Sequence, residues 1–186
     1  RTNKMIVASG SVSQITSGQI MWAASNGFNC IKFNIKAILG DQSDLSTEVK
    51  KIVKNSVYSL ENSKIPIIFT ANGPHDSSVI DFNKLSKDSS VELNQKLGEA
   101  LGSILDAVIT QTNIRRAVIA GGDTSGHALK KLGVYALSAV TSTVPGAAIF
   151  EAHSDGKMDG LEIALKGGQM GSVDYFGWVR DGGGSK

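Results

Sequence analysis

The sequence predicts a three-layer α/β/α domain built on a central mixed sheet that is mostly parallel. Short apolar runs alternate with longer segments of helical periodicity through the first two thirds of the chain, which is typical of parallel strands joined by helices. Loops rich in glycine or serine follow several of these runs. In the last third, apolar runs follow one another without a full helix between them, which makes the predicted sheet mixed.

The amino-terminal half alternates strands and helices, because apolar runs bounded by turn residues are separated by segments with apolar residues on one helical face. A polar, turn-like segment over residues 41–46 precedes the second helix. The predicted strands cover residues 4–8, 28–35 and 65–70, and the predicted helices cover residues 14–26 and 45–60.

The carboxyl-terminal half begins with the longest helical pattern and ends with closely spaced strands. The glycine-rich stretch that starts at Gly121 separates one strand from a short helix. Turn signals such as Asp159-Gly160 divide the later strands. The predicted helices cover residues 90–112, 127–132 and 173–179, and the predicted strands cover residues 117–120, 134–140, 147–151 and 161–166.

Composition excludes several classes of function. The chain of 186 residues carries 19 Lys and Arg against 17 Asp and Glu, with no dense basic run, so nucleic-acid binding is not expected. No apolar run approaches the roughly 18 residues of a membrane span, and no signal peptide opens the chain. The single Cys30 cannot form an internal disulfide, and a cytoplasmic location is expected. Because the first residue is Arg1 rather than Met, we expect a part of a longer protein.

The stretch from Gly121 to Gly126 predicts an anion site, because it joins a buried strand to a helix N-terminus. Its glycines have the spacing of a Walker A loop, but His127 and Ala128 stand where that loop needs Lys and Ser or Thr. An ordinary helix cap remains the alternative, with Asp123 or one of the two hydroxyls after it as the N-cap.

Similar loops follow other predicted strands. The segments over residues 9–13, 72–76, 121–126 and 167–172 all leave the carboxyl end of a strand. In open α/β sheets, ligands bind at that edge, so we expect these loops to surround one site.

Taken together, these loops resemble those of a known family. The motifs are Ser9-Gly-Ser-Val-Ser13, Asn72-Gly-Pro74, Gly121-Gly-Asp-Thr-Ser-Gly126 and Leu165-Lys-Gly-Gly-Gln-Met-Gly-Ser172. In this order and at these separations they resemble the C-terminal nucleotide-binding domain of the four-carbon acid sugar kinases, and the resemblance spans essentially the whole chain.

The resemblance implies an ATP-dependent kinase of threonate, erythronate or 3-oxo-tetronate, with ATP and Mg²⁺ as cofactors. Residues 1–186 would be the nucleotide-binding domain, and the substrate domain, with its early Asp-Asp-Phe-Thr-Gly stretch, would be the missing amino-terminal half. This fragment alone is then expected to be inactive. A homodimer is a further expectation, and no catalytic base is assigned. The alternative function is a non-catalytic module that binds a small phosphorylated metabolite.

The resemblance also implies roles for individual residues. Gly121 and Gly122 would turn backbone N–H groups toward phosphate, Asp123 would orient the magnesium ion, and Thr124 would bond a phosphate oxygen or cap the helix. The alternatives are turn glycines and a helix cap.

Two further loops would complete the nucleotide site. Gly167, Gly168 and Gly171 would approach the nucleotide, or else form a bulge or turn. Ser9 and Ser11 would hydrogen-bond the nucleotide, with capping of the first helix by Ser11 or Ser13 as the alternative. Lys166 would balance phosphate charge or be an ordinary solvated side chain, and the solvated side chain is the expectation.

Overall fold

The computed structural model describes residue 2, residues 4–79 and residues 90–182. The strands are β1 (Ile6–Ser9), β2 (Phe28–Lys32), β3 (Ile65–Phe69), β4 (Arg116–Ala120), β5 (Val134–Ser142), β6 (Ala148–Ser154) and β7 (Glu162–Lys166). The helices are α1 (Gln14–Ala24), α2 (Lys36–Leu39), α3 (Gln42–Glu61), α4 (Ser90–Thr112), α5 (Gly122–Lys131) and α6 (Tyr175–Asp181).

The strands form one seven-stranded sheet in the order β2-β3-β1-β4-β7-β6-β5. The first five strands of this order are mutually parallel. Strand β6 runs antiparallel to both of its neighbours, β7 and β5. The prediction of a mixed, mostly parallel sheet is therefore confirmed.

The connections change direction at the centre of this sheet. After β1 the chain forms β2 and β3 on one side, and it then returns to place β4 on the other side of β1. The two outgoing loops therefore diverge, which leaves a crevice at the carboxyl ends of β1 and β4. Such a switch point is where open α/β sheets bind ligands.

Alternate residues of the central strands face two separate cores. In β1, Ile6 packs in the core that includes α3 and α4, and Val7 packs in the core that includes α1 and α6. Tyr175 and Phe176 of α6 are fully buried in the second core. Helices thus cover both faces of the sheet, as the predicted three layers require.

Helices α4 and α5 pack with unusually close backbones. A Cβ atom at Gly98 would lie 2.4 Å from Cβ of His127, and one at Gly102 would lie 3.0 Å from the carbonyl oxygen of Ala128. Glycine spacing of one helical turn on α4 therefore allows α5 to approach, and this contact fixes the position of the α5 N-terminus at the sheet edge.

Several local predictions differ from the structure, among them the helix predicted over residues 127–132, which starts at Gly122. Strand β2 ends at Lys32 rather than at residue 35, because the N–H of Asn34 donates to Oε1 of Glu48 in α3 at 2.9 Å instead of to a neighbouring strand. The short helix α2 follows and was not predicted. Helix α3 starts three residues early, because Oδ1 of Asp41 accepts hydrogen bonds from the N–H groups of Ser43 and Asp44 at 2.8 and 2.9 Å.

Within the described ranges, no helix is both long enough and apolar enough to cross a lipid bilayer.

Candidate functional site

A cleft of about 500 Å³ opens at the carboxyl ends of β1, β4 and β7. A groove of similar volume between α3 and α4 is lined by residues of the two helices alone, with no loop from a strand end. The cleft is therefore the candidate site. Its lining consists of Gly10, Ser11, Val12, Ser13, Gln14, Pro74, Asn94, Leu97, Gly121, Gly122, Asp123, Thr124, Gly168 and Gln169.

The loop after β1 is held by its own serines. Oγ of Ser13 accepts a hydrogen bond from the N–H of Thr16 at 3.1 Å, so Ser13 is the N-cap of α1. Oγ of Ser11 accepts from the N–H of Ser13 at 3.2 Å, and Oγ of Ser9 accepts from the N–H of Ser11 at 3.4 Å. Ser11 lines the cleft, whereas Ser9 is fully buried beneath it and supports the loop.

The loop after β4 turns at Gly121, whose φ of +124° favours glycine. Gly121 is the N-cap of α5, and no side chain caps this helix. The alternative of a cap by Asp123, Thr124 or Ser125 is therefore wrong. The hydroxyl of Ser125 instead donates to the carbonyl of Gly121 at 2.6 Å, one turn back along the helix.

The two glycines of this loop have different surroundings. The N–H of Gly121 donates to the carbonyl of Lys166 at 3.1 Å. It is therefore not available to a ligand, although it was expected from the sequence to face phosphate. Gly122 is the first residue of α5, and a Cβ atom there would meet nothing within 4 Å. The space beside Gly122 is open cleft, next to the N–H groups that a helix leaves without partners in its first turn.

Asp123 lies in the first turn of α5, with an exposed side chain that lines the cleft. In the part of the chain that the structure describes, no group of three or more His, Cys, Asp or Glu side chains could hold a metal ion. A magnesium ion here would fit one carboxylate together with phosphate oxygens and water, which is the usual ligand set for this ion in nucleotide sites.

Gly10 brings the loop after β1 into contact with the loop after β4. A Cβ atom at Gly10 would lie 2.0 Å from Oγ1 of Thr124, whose side chain is buried. A Cβ atom at Gly121 would lie 3.3 Å from the backbone nitrogen of Ser11. The loops therefore close the floor of the crevice between β1 and β4. Gly10 was not singled out from the sequence, although it follows a buried strand inside a serine-glycine loop, as such contacts require.

The loop after β7 covers the N-terminus of α1. The carbonyl oxygen of Gly168 accepts hydrogen bonds from the hydroxyls of Ser13 and Thr16, the latter at 2.9 Å. Among the three glycines predicted in this loop, Gly168 lines the cleft. Gly167 packs against Met170 instead, and a Cβ atom at Gly171 would lie 2.7 Å from the ring of Tyr175.

Lys166 is buried, which overturns the expectation of a solvated side chain. Its side chain occupies the α1 side of the sheet and is 3% exposed. Nζ donates to Oγ1 of Thr16 at 3.1 Å and to the carbonyl of Gly167 at 3.0 Å, and it lies 5.8 Å from the ring centre of Tyr175. Burial lowers the pKa of Lys166 from 10.5 to about 8. The sequence did hold a signal for this burial, because Lys166 and the buried Ala164 lie two residues apart in β7 and therefore share a face of the sheet.

The remaining loop, after β3, contributes Pro74 to the cleft and is fixed by Asp76. The carboxylate of Asp76 accepts hydrogen bonds from Nζ of Lys32 and from the backbone N–H of Asn72, each at 2.8 Å. Desolvation alone would raise the pKa of Asp76, but these hydrogen bonds and one from the N–H of Ser78 lower it well below its usual range. The loop is therefore held in place by a carboxylate that stays charged.

Known proteins share this sequence pattern. A family model described as a nucleotide-binding C-terminal domain matches residues 6–176. The 3-oxo-isoapionate kinase of Paraburkholderia graminis is 35% identical over 178 residues, which are 94% of this chain and 38% of that protein. The 3-oxo-tetronate kinase of Pseudomonas savastanoi pv. phaseolicola is 26% identical over 172 residues, covering 92% of this chain and 36% of that protein.

The fold is shared with a solved Bordetella bronchiseptica protein, a domain-swapped dimer with bound citrate. The two superpose with a TM-score of 0.69 at 15% identity, over 95% of this chain and 39% of that one. The chain thus spans less than two fifths of the length of the curated relatives it matches. Since the family model covers nearly the whole chain, this chain belongs to the nucleotide-binding C-terminal domain family of the four-carbon acid sugar kinases.

Proposed function

We propose that this chain is the ATP-binding part of a kinase that phosphorylates four-carbon sugar acids of the threonate, erythronate or 3-oxo-tetronate class. One observation carries the proposal: a helix N-terminus without a side-chain cap opens into a cleft at the switch point of the sheet, beside an exposed carboxylate. This combination suits a magnesium-bound polyphosphate.

The phosphates would bind at the first turn of α5. Backbone N–H groups there have no intrahelical partners, and the positive end of the helix dipole favours an anion. The absence of a side chain at Gly122 leaves room for phosphate oxygens. Oγ1 of Thr124 is buried against Gly10, so we assign Thr124 to loop packing and give the phosphate contacts to backbone groups and Ser11.

Asp123 would hold the magnesium ion that accompanies ATP. When bound, magnesium neutralises charge that builds up on the phosphates during transfer. Asp123 extends from the same helical turn that offers N–H groups to the phosphates, so the ion and the phosphates can be oriented together. Its carboxylate is exposed and lines the cleft, so an ion in the cleft can reach it.

The sugar acid would be presented by the rest of the parent protein. The relatives are more than twice as long as the part that this chain matches, which leaves room for a substrate domain. That domain would place the acceptor hydroxyl across the cleft and exclude water as the domains close. The catalytic base is then assigned to the substrate domain.

Calorimetric titration of ATP with magnesium, and with EDTA, tests the nucleotide proposal on this chain and on Asp123→Asn. We expect the mutant to lose about tenfold in affinity for Mg-ATP and to keep its affinity for metal-free ATP, because the amide is a poor ligand for a hard cation. Asp106→Asn, an exposed carboxylate on α4, is the matched control and should behave as wild type.

Equal losses with and without magnesium would remove the metal role of Asp123. Tight binding of a sugar phosphate without any metal requirement, together with no binding of ATP, would replace the kinase proposal by the non-catalytic module.

A further inference from the structure

Lys166 carries a buried charge that the proposed phosphate contacts do not use. Among the described residues no carboxylate lies within ion-pair distance of its ammonium group, and its hydrogen-bond partners are the neutral oxygens of Thr16 and Gly167. Burying an ammonium group is costly unless an opposite charge compensates it. The electrostatic environment of Lys166 therefore favours an anion.

The atoms around Lys166 already form a cage for oxygen atoms. The hydroxyls of Ser13 and Thr16 donate to the carbonyl of Gly168, and Nζ of Lys166 donates to the carbonyl of Gly167. Two adjacent backbone carbonyls thus receive three side-chain donors, one of them charged. These carbonyl oxygens occupy the positions where oxygens of an anion would be held.

The cage adjoins the cleft. Ser13 and Gly168 line the cleft, and Thr16 links them to Lys166, since its Oγ1 accepts from Lys166 and donates to Gly168. The Gly168 carbonyl belongs to the peptide between Gly168 and Gln169, and glycine at position 168 has wide backbone freedom because it carries no side chain. Rotation of this peptide would withdraw the Gly168 carbonyl and open the donors to the cleft.

We propose that Lys166, with the hydroxyls of Ser13 and Thr16, forms a second phosphate-binding subsite that takes an oxyanion of the nucleotide's polyphosphate when the Gly168 carbonyl moves away. The subsite lies opposite the N-terminus of α5, so the polyphosphate spans the cleft between α5 and α1. This inference rests on the proposed nucleotide function.

The test compares Lys166→Met, which keeps most of the length of the side chain and removes its charge, with Lys130→Met on the exposed surface of α5. Mg-ATP and inorganic tripolyphosphate are titrated into each variant at pH 7.5. We expect Lys166→Met to lose about 10- to 100-fold in affinity for both ligands, as for a lost charged hydrogen bond, and Lys130→Met to match wild type.

Proton uptake provides a readout that a structural role alone would not change. Calorimetry of Mg-ATP binding at pH 8.5, in two buffers of different ionisation enthalpy, should show uptake of about half a proton or more by wild type and none by Lys166→Met, because a bound anion raises the pKa of Lys166. Tyr175 packs against Lys166, but burial raises the pKa of its hydroxyl, so it stays neutral at this pH.

The outcomes separate the subsite from the nucleotide function. Unchanged affinities and equal proton uptake in Lys166→Met would overturn the subsite and leave ATP binding standing. Binding of tripolyphosphate that depends on Lys166, without any binding of ATP, would support the subsite and overturn the nucleotide proposal. Failure of wild type to bind either ligand would overturn both.

Discussion

Gly121 and Gly122 are adjacent in the sequence but differ in what a side chain would disturb. Gly121 has a positive φ, and its N–H is held by the neighbouring strand. Gly122 has open cleft where a Cβ atom would be. Replacement of the first should therefore affect the fold, and replacement of the second should affect the ligand.

We predict that Gly122→Val abolishes binding of Mg-ATP and leaves the melting temperature nearly unchanged, because the branched side chain fills phosphate space. Gly121→Ala should lower the free energy of unfolding by about 1 to 3 kcal/mol, because alanine resists this backbone conformation. Calorimetry with Mg-ATP and thermal melts followed by circular dichroism measure both effects. Wild-type affinity in Gly122→Val would place the phosphates elsewhere.

Lys166 has a second measurable consequence, on stability. Its pKa is about 8 in the folded chain and 10.5 in the unfolded chain, so the unfolded state binds more protons between these values. The stability of wild type therefore rises with pH across this window, and the full cost of burying the charge is present below pH 8.

We predict that Lys166→Met is more stable than wild type by about 1 to 2 kcal/mol at pH 7, after allowing for hydrogen bonds that methionine cannot make. The difference should decrease as the pH rises above 8 and change sign before pH 10.5, because the cost of burying the charge disappears while the loss of the hydrogen bonds remains. Urea denaturation of both proteins at several pH values measures it, with Lys130→Met as the control for loss of one exposed charge. A difference in stability that does not change with pH would contradict the burial of a charged Lys166.

At the residue level, the sequence motifs predicted where the loops lie better than they predicted which loop residues face the cleft. Ser11, Gly122, Asp123 and Gly168 line the cleft as expected. Ser9 and Gly171 face away from the cleft. The sequence does not indicate this, since their burial depends on how α1 and α6 pack. The roles of all these residues toward a nucleotide stay predictions.

At the level of elements, two helix glycines provide a matched pair. Gly102 of α4 lies against α5, where a Cβ atom would be 2.7 Å from Cβ of Lys131. Gly18, in the interior of α1, has no atom within 4 Å of a Cβ position. Replacement by alanine raises the helix propensity at both positions. Only at Gly102 would the new Cβ atom overlap with atoms of α5.

We predict that Gly18→Ala stabilises the chain by about 0.5 to 1 kcal/mol, as helix propensity suggests. Gly102→Ala should destabilise it by about 1 to 3 kcal/mol, because α5 must move away from α4. Chemical denaturation of the two single mutants measures these changes. Stabilisation by both substitutions would show that the close approach of α4 and α5 is not required.

Elements with strong periodicity were predicted best. Helix α4 has the predicted bounds, and the change from helices to closely spaced strands after α5 is confirmed. Helix α2 was missed because its four residues are too few to show a period. The end of β2 was misplaced because Glu48, from a distant segment, takes the N–H group that a longer strand would need.

For the molecule as a whole, the cleft is built from this chain, but the relatives that the chain matches are much longer. We predict that the 186-residue chain unfolds cooperatively and binds Mg-ATP weakly, yet releases ADP only at the background rate with threonate or erythronate. Weak binding is expected because the proposed substrate domain, which would close over the ligand, is not part of these 186 residues.

A coupled ADP-release assay measures turnover, and a full-length relative assayed with its own substrate is the positive control. Robust turnover by the pure 186-residue chain would contradict the split between a nucleotide domain and a substrate domain.

The position of β7 between β4 and β6 has a consequence for synthesis on the ribosome. The cleft takes loops from the start, the middle and the end of the described chain, and the last residue that lines it is Gln169. A nascent chain can pair β1 with β4 well before this loop has been translated. A ligand of the cleft stabilises only chains that have passed this point, so nucleotide would favour complete products over truncated ones.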